Sequence, residues 1–326
     1  MWYNDGHERN DFMKRAAVLI LTVLMIFSFA SCSSEKKTAL VISGTEIDSE
    51  IFTYYLDKVL QRPLDYGLSE NPKKSELKES AISECKRYLL SNTNFLNKGL
   101  SLSSSEKTEI SQTVNDYWLR FENHYKNIGV SKQTLTKIFT SQAYRDALFS
   151  AEFDKGTDDA EAEAILQNYF YENYISFRTV CAYYTTASGS AMTQLEKNQL
   201  LDSIRTLAAN AGTDIEKFAE NALNAGYTLS SSVLLKKGAE GYPDGFYEKV
   251  SAQNDNTVQV LTYDECVFIV WKENLKDKGE SVYVNYRSAC INDLYYDESQ
   301  AKANEYIETL SVKEEKVIDK IINKLR

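Results

Sequence analysis

The chain carries only 2 histidines, His7 and His124, among its 326 residues. That scarcity excludes most zinc and other multi-histidine metal sites, which draw nitrogen ligands from several imidazoles. There are 3 prolines and 13 glycines. So few chain breakers argue against a loop-rich β-sandwich, a collagen-like fibre or a glycine-rich phosphate cradle, and leave room for many helices. Positive charge is also in deficit: 37 Lys and Arg face 47 Asp and Glu, a formal net charge of -10. Nucleic-acid binding and polybasic membrane binding need a positive surface to meet phosphates, and this chain lacks the balance for either. What is present is apolar and aromatic: 43% hydrophobic residues, 12% aromatics and 22 tyrosines. A chain of that composition packs cores, and its length suffices for two domains or for one with an elaboration.

Residues 16–30 read AAVLILTVLMIFSFA and follow Lys14-Arg15. A membrane-spanning helix needs about 20 apolar residues. A positive start, a shorter apolar core and small residues at its end describe a signal peptide instead, functionally starting at Met13. Phe29-Ala30-Ser31-Cys32 closes the run and resembles a bacterial lipobox, with Phe29 where Leu is usual. The resemblance implies that Cys32 is lipidated and becomes the mature N-terminus, with residues 1–31 as signal and 32–37 as a polar tether. An ordinary cleaved signal with an incidental Cys32 is the alternative. Arg9, Lys14 and Arg15 cancel Asp5, Glu8 and Asp11, so the mature chain keeps its acidic balance. An acidic body is not drawn to anionic lipid. The acyl chains must do the anchoring, at about 0.8 kcal/mol per buried CH₂. The expected place is extracytoplasmic, lipid-anchored to the bacterial cell membrane.

Four further cysteines, Cys85, Cys181, Cys266 and Cys290, form no CxxC pair. Each lies inside an apolar-periodic segment, which points to buried free thiols and not to a metal or redox centre. No cofactor and no metal is expected. His124, in a helical stretch beside Tyr125, has no marked partners for a nucleophile triad and reads as a packed or surface helix residue. The acidic cluster Asp158, Asp159, Glu161 and Glu163 reads as a solvated helix start favoured by the helix dipole.

From residue 38 the pattern is a short strand (Ala39 to Ile42), a turn at Ser43-Gly44-Thr45 and a helix capped by Asp48. Residues 61–75 hold two of the three prolines and read as a loop. Helical stretches follow, punctuated by Gly99, Gly129 and Gly156, with fresh starts near Ser101–Ser105 and at Ser131. The texture changes near residue 175. Ser176–Tyr184 is β-branched and aromatic, a strand. Thr193 with Glu196, and Thr213 with Glu216, read as capping boxes of two helices. Leu229–Leu235 and Thr257–Leu261 are short strand candidates, and the unbroken apolar run Cys266–Trp271 is a buried strand. Beyond Gly279 the chain is helical again, ending in an amphipathic stripe of Val317, Ile318, Ile321, Ile322 and Leu325. That stripe needs an apolar partner, and the N-terminal helical stretch is the economical one.

This order resembles the SurA/PrsA-type extracytoplasmic foldases. The residues that carry the likeness are Val41–Ile47 for the opening strand and turn, Tyr125–Gly129 with Ser131 for an aromatic helix junction, and Asp158–Tyr174 for the segment leading into an isomerase module. Phe177–Val180 stands where the first strand of a parvulin-type peptidyl-prolyl isomerase lies, and Tyr263–Trp271 where the last one lies. The resemblance implies an α+β, mostly helical fold: a SurA-N-like helical domain (38–174) completed by a C-terminal helix (279–326), with an inserted parvulin-like β-α-α-β-β-β domain (175–278). Parvulins carry a histidine on each of those two strands. Here Thr179 and Val267 stand in their places, so no catalytic residue is assigned and both are expected in the core. Cys181 is expected on the face of Thr179 and Cys266 on the face away from Val267, which disfavours a disulfide between them.

The function this implies is a membrane-anchored chaperone or foldase-like lipoprotein. It would bind unfolded or nascent exported polypeptides through apolar surface between its helical and isomerase-like parts, without efficient prolyl isomerisation. Two alternatives stand beside it: an active parvulin-type isomerase with an altered pocket, and a non-catalytic envelope assembly or interaction lipoprotein. Nucleic acid is not an expected partner.

Overall fold

A computed structural model describes residues 37–212 and 214–325. The signal sequence, the lipidation candidate Cys32 and most of the tether lie outside the described residues. The chain divides into two compact units. One runs up to Asp154 and resumes at Asp297; the other is Lys155–Tyr296, inserted between those halves.

The first unit opens with a hairpin, β1 (Thr38–Ile42) and β2 (Thr45–Asp48). Its turn residues Ser43 (φ 46°) and Gly44 (φ 87°) both take positive φ, the backbone a two-residue hairpin turn requires. Asp48 ends β2 and caps α1 (Ser49–Gln61) by accepting the Glu50 N–H at 2.7 Å. Ile51, Phe52, Tyr54, Tyr55, Leu56 and Val59 of α1 are all buried. A helix apolar on so many sides belongs in the middle of a core. Around it lie α2 (Lys74–Asn97), α3 (Ser104–Ile128) and α4 (Lys132–Phe153). Ser103 and Glu106 form a reciprocal capping box at the start of α3, and Ser131 caps α4.

The chain's end closes this unit in two ways. A three-residue strand, β7 (Val312–Glu314), pairs antiparallel with β1 through Leu40–Glu314 and Ile42–Val312. Helix α10 (Val317–Leu325) then buries Ile318 and Ile322 in the same core as Leu40, Phe52 and Leu56. The amphipathic C-terminal stripe therefore finds the partner expected of it. The strand before it is a correction to an all-helical ending, since three residues carry no alternation and β7 exists only through its ladder with β1.

The inserted unit begins with α5 (Ala160–Asn173), capped by Asp159. Its sheet contains β3 (Tyr174–Tyr183), β4 (Val233–Lys236), β5 (Thr257–Thr262) and β6 (Cys266–Glu273) in the spatial order β4-β3-β6-β5, all antiparallel. Helices α6 (Gln194–Ala211) and α7 (Ile215–Asn224) follow β3. Thr193 and Glu196 form the expected capping box of α6. At α7 the cap is Asp214, which accepts the Glu216 and Lys217 N–H groups. A short helix, α8 (Phe246–Ser251), lies between β4 and β5, so the order is β-α-α-β-α-β-β. Six residues are too few for a periodic signal, which is why α8 escapes a sequence reading.

The sheet is buried on both faces. Val180, Ala182, Val267, Ile269 and Trp271 pack on Ile204 and Leu207 of α6 and Phe218 and Ala222 of α7. Ile175, Phe177, Cys266, Phe268 and Val270 pack on Phe246 and Val250 of α8. Two covered faces explain why β6 is apolar at consecutive positions. Helix α9 (Glu280–Glu308) begins in this unit, and the division of the chain falls within it. Its Tyr283 and Tyr286 meet Phe170 of α5 at 5.7 and 6.1 Å, and Arg287 pairs with Glu163 at 2.8 Å. Part of the Glu161–Glu163 acidic cluster is thus engaged in the interior.

Candidate functional site

Two places are candidates for a site: the sheet face where an isomerase pocket is expected, and the helical unit. On the sheet, register decides. Thr179 pairs with Val270, and Val267 with Ala182. Residues directly opposite share a face and neighbours along a strand alternate, so Thr179 and Val267 point to opposite faces. Thr179, 8% exposed, donates its hydroxyl to the Ile269 carbonyl at 3.0 Å. Val267 is fully buried under α6 and α7. They line no common pocket.

The same register corrects the cysteine geometry. Cys266 pairs with Tyr183, and Cys181 lies two residues before Tyr183, so both thiols are on one face. They are free and lie within electrostatic reach of each other. Burial, then the Cys266 neighbour, pushes the Cys181 thiol up to about 11, and burial raises Cys266 as well. Thiols held in that form are poor nucleophiles at neutral pH.

Aromatic side chains fill that face. Phe246, 1% exposed, stacks on Tyr242 at 4.4 Å and meets Phe177 at 5.3 Å and Phe268 at 5.2 Å. Tyr263 joins the cluster at 6.0 Å from Phe268, with the Lys249 ammonium 4.4 Å over its ring. Tyr183 stands apart at the margin, 63% exposed. The unit Lys155–Tyr296 contains no histidine. Glu273 accepts from Ser176 at 2.8 Å and Ser232 at 2.6 Å and pairs with Lys278 at 2.6 Å and Arg178 at 3.1 Å. Burial raises the carboxyl's pKa, but hydrogen bonds from Lys278, Ser232 and Ser176 outweigh it and hold it below the usual range. This network ties β3 and β6 to the segments around Ser232 and Lys278.

In the helical unit, a cavity of about 470 Å³ opens where α2 turns into α3 beside α4. Gly99 (φ 66°) stops α2, and the Leu100 N–H folds back onto the Phe95 carbonyl at 3.2 Å. Leu102 is buried by that turn and Ser103 at once starts the next helix. The short corner leaves a gap floored by Phe95, Leu96, Leu102, Ile110, Val114 and Tyr144. The Phe95 and Tyr144 rings stack at 3.9 Å, while Leu96 is 47% exposed. The volume lies in the range of pockets that bury a small ligand or a few side chains. No motif marks it, because its walls come from three separate segments.

Elsewhere in this unit His124 Nε2 lies 2.9 Å from Asp57 Oδ2, and Gln61 donates to the same carboxylate oxygen at 2.8 Å. The pairing ties α3 to the buried side of α1, and among the described residues no hydroxyl or thiol hydrogen-bonds to it. Among the described residues no group of three or more His, Cys, Asp or Glu is placed to hold a metal ion, and no helix is long and apolar enough to cross a membrane.

A helical body closed by its own C-terminal strand and helix, with an antiparallel sheet unit inserted, is the architecture these observations define. Solved structures similar to this chain are PrsA foldases. The foldase protein PrsA of Lactococcus lactis shares 14% identity, covering 89% of this chain and 99% of that one, at a TM-score of 0.37. PrsA from Streptococcus pneumoniae shares 10% over 87% of this chain and 97% of that one, at 0.36. PrsA from Bacillus subtilis shares 14% over 77% and 84%, at 0.26. At these scores the likeness adds no weight beyond the topology described above. No protein-family model matches the chain, and no curated protein matches it.

Proposed function

We propose that this chain is an extracytoplasmic, lipid-anchored, foldase-like protein that binds unfolded exported polypeptides and does so without efficient prolyl isomerisation. The observation that carries the reading is the open apolar cavity of the helical unit, set against a sheet unit whose corresponding face is filled. Prolyl isomerisation has to lower a barrier of roughly 18–20 kcal/mol for twisting an amide. An enzyme does so by seating the ring in an apolar pocket and stabilising the twisted form. The packing of Phe246, Tyr242 and Phe268 on that face supports a reading in which no ring is seated there. The helical cavity, by contrast, presents apolar side chains to a client segment that is itself seeking burial. Anchoring follows from lipidation at Cys32, and Cys32→Ser should release the protein from the membrane fraction.

The test is suppression of aggregation. At a stoichiometric ratio the protein should keep a chemically unfolded client in solution, and Leu96→Asp should reduce that effect. Absence of suppression would end the reading. In a protease-coupled proline-peptide assay the expected result is the uncatalysed rate. Acceleration that disappears on mutation around Thr179 would instead favour the active isomerase.

A further inference from the structure

The cavity of the helical unit carries charge of one sign. Among the described residues, the formally charged ones that line it are Lys107, near the start of α3, and Lys132, at the start of α4, with no Asp or Glu. Both lysines are exposed. Among the described residues, neither ammonium group takes part in an ion pair or hydrogen bond. The two acids within electrostatic reach of these lysines are already engaged. Glu106, beside Lys107, accepts the Ser103 N–H at 2.7 Å. Glu122, within electrostatic reach of Lys132, pairs with Lys126 at 2.8 Å. Two unpaired cations at an apolar cavity contrast with a body of net charge -10, whose general field repels anions.

We propose that this cavity selects apolar polypeptide segments flanked by acidic side chains, which places Asp or Glu of the client against Lys107 and Lys132. The proposal rests on the polypeptide-binding reading above and names the class of segment the same site takes. The apolar side chains bury against Leu96, Ile110 and Val114. The flanking carboxylates stay at the exposed margin, where an ion pair adds little affinity but still separates acidic from basic flanks. A cavity of about 470 Å³ holds a few side chains, which suits a short segment of an unfolded chain.

The experiment uses the full chain and three fluorescent peptides with one apolar core, flanked by Glu, Gln or Lys. By anisotropy the Glu peptide should bind tightest and the Lys peptide weakest, with about two- to fivefold between successive peptides. The spread should shrink at 0.5 M salt, where screening shortens to about 3–5 Å. The double variant Lys107→Gln with Lys132→Gln should bind all three alike. If the wild-type chain binds all three equally while Leu96→Asp abolishes binding, charge selection is overturned and polypeptide binding stands. If none of the three binds, both fall. If a long-chain fatty acid displaces the peptides at concentrations below theirs, the cavity belongs to lipid and the proposal is overturned.

Discussion

The two units bury aromatic residues to opposite ends. In the sheet unit, Phe177, Tyr242, Phe246, Tyr263 and Phe268 interlock across one sheet face, and α6 and α7 cover the other. In the helical unit, Phe95 and Tyr144 stack on each other and wall a space that remains open. The difference comes from how each unit is closed. A sheet face under a short helix and the loop residues Tyr242 and Tyr263 can be filled side chain by side chain. Three helix segments meeting at a glycine corner leave a gap whose size is set by backbone geometry. One face of the sheet is therefore packed with its own side chains, while the helical unit keeps an open apolar cavity.

Truncation should separate the two units most sharply. Phe246→Ala removes a fully enclosed ring and should destabilise the sheet unit by about 3–5 kcal/mol, the usual cost of emptying such a site. Leu96→Ala, at the open cavity, removes atoms already half in water and should cost less than about 1 kcal/mol. Hydrogen exchange at the amides of β3 and β6 for the first variant, and of α2 for the second, reads the two effects separately. Equal losses would mean that the cavity is as tightly packed as the sheet face and would break the contrast.

The second test concerns charge. Glu273 is mostly buried in the sheet unit with four polar partners, whereas the cavity lysines of the helical unit are exposed and unpaired. Glu273→Gln should cost about 2–4 kcal/mol, because Lys278 and Arg178 lose the carboxylate that compensates them. The pH dependence has a definite sign. The folded carboxyl titrates below the ordinary 4.5, so its contribution is fully present above about pH 4.5 and is lost as pH falls through the lower folded value. Urea titrations from pH 7 to pH 3 should show the stability gap between wild type and variant narrowing in that acid range. A gap that is constant with pH would show that the network acts through shape alone.

Much of this fold is legible in the sequence where the signal is local. Asp48, the Ser101–Ser105 run, Ser131 and Thr193 mark helix starts that the structure keeps, because a side-chain oxygen next to orphan N–H groups works the same way in any context. The run Cys266–Trp271 declares a strand covered twice. The final apolar stripe finds β1 and α1 as its partners. Illegible features depend on relations between distant segments. The placement of Thr179 and Val267 on opposite faces follows from a one-residue choice of register that neither strand encodes alone. β7 is a strand only because β1 offers it an edge. The cavity is the extreme case, since Lys107 and Lys132 are separated by the length of a helix and nothing in either neighbourhood marks a site.

The smallest expected effect compares how the two units handle an awkward backbone. Two non-glycine residues take positive φ among the described residues: Ser43 (φ 46°) in the helical unit's hairpin turn and Asn256 (φ 56°) just before β5 in the sheet unit. For an ordinary L-residue the left-handed conformation costs roughly 1–2 kcal/mol, and asparagine tolerates it best because its side chain can bond locally to the backbone. The sheet unit already uses asparagine, and the helical unit does not. Ser43→Asn should therefore stabilise the helical unit by about 0.5–1 kcal/mol, seen as a higher urea midpoint with unchanged slope. Ser43→Val, β-branched at a position that needs φ near 46°, should shift the midpoint the other way by at least as much. Because β1 also pairs with β7, protection of the Ser43 N–H, which donates to the Ser311 carbonyl at 2.9 Å, should rise and fall with these variants. If protection there stays fixed while the midpoint moves, the turn is acting through the unfolded chain and not through the clasp between the chain's two ends.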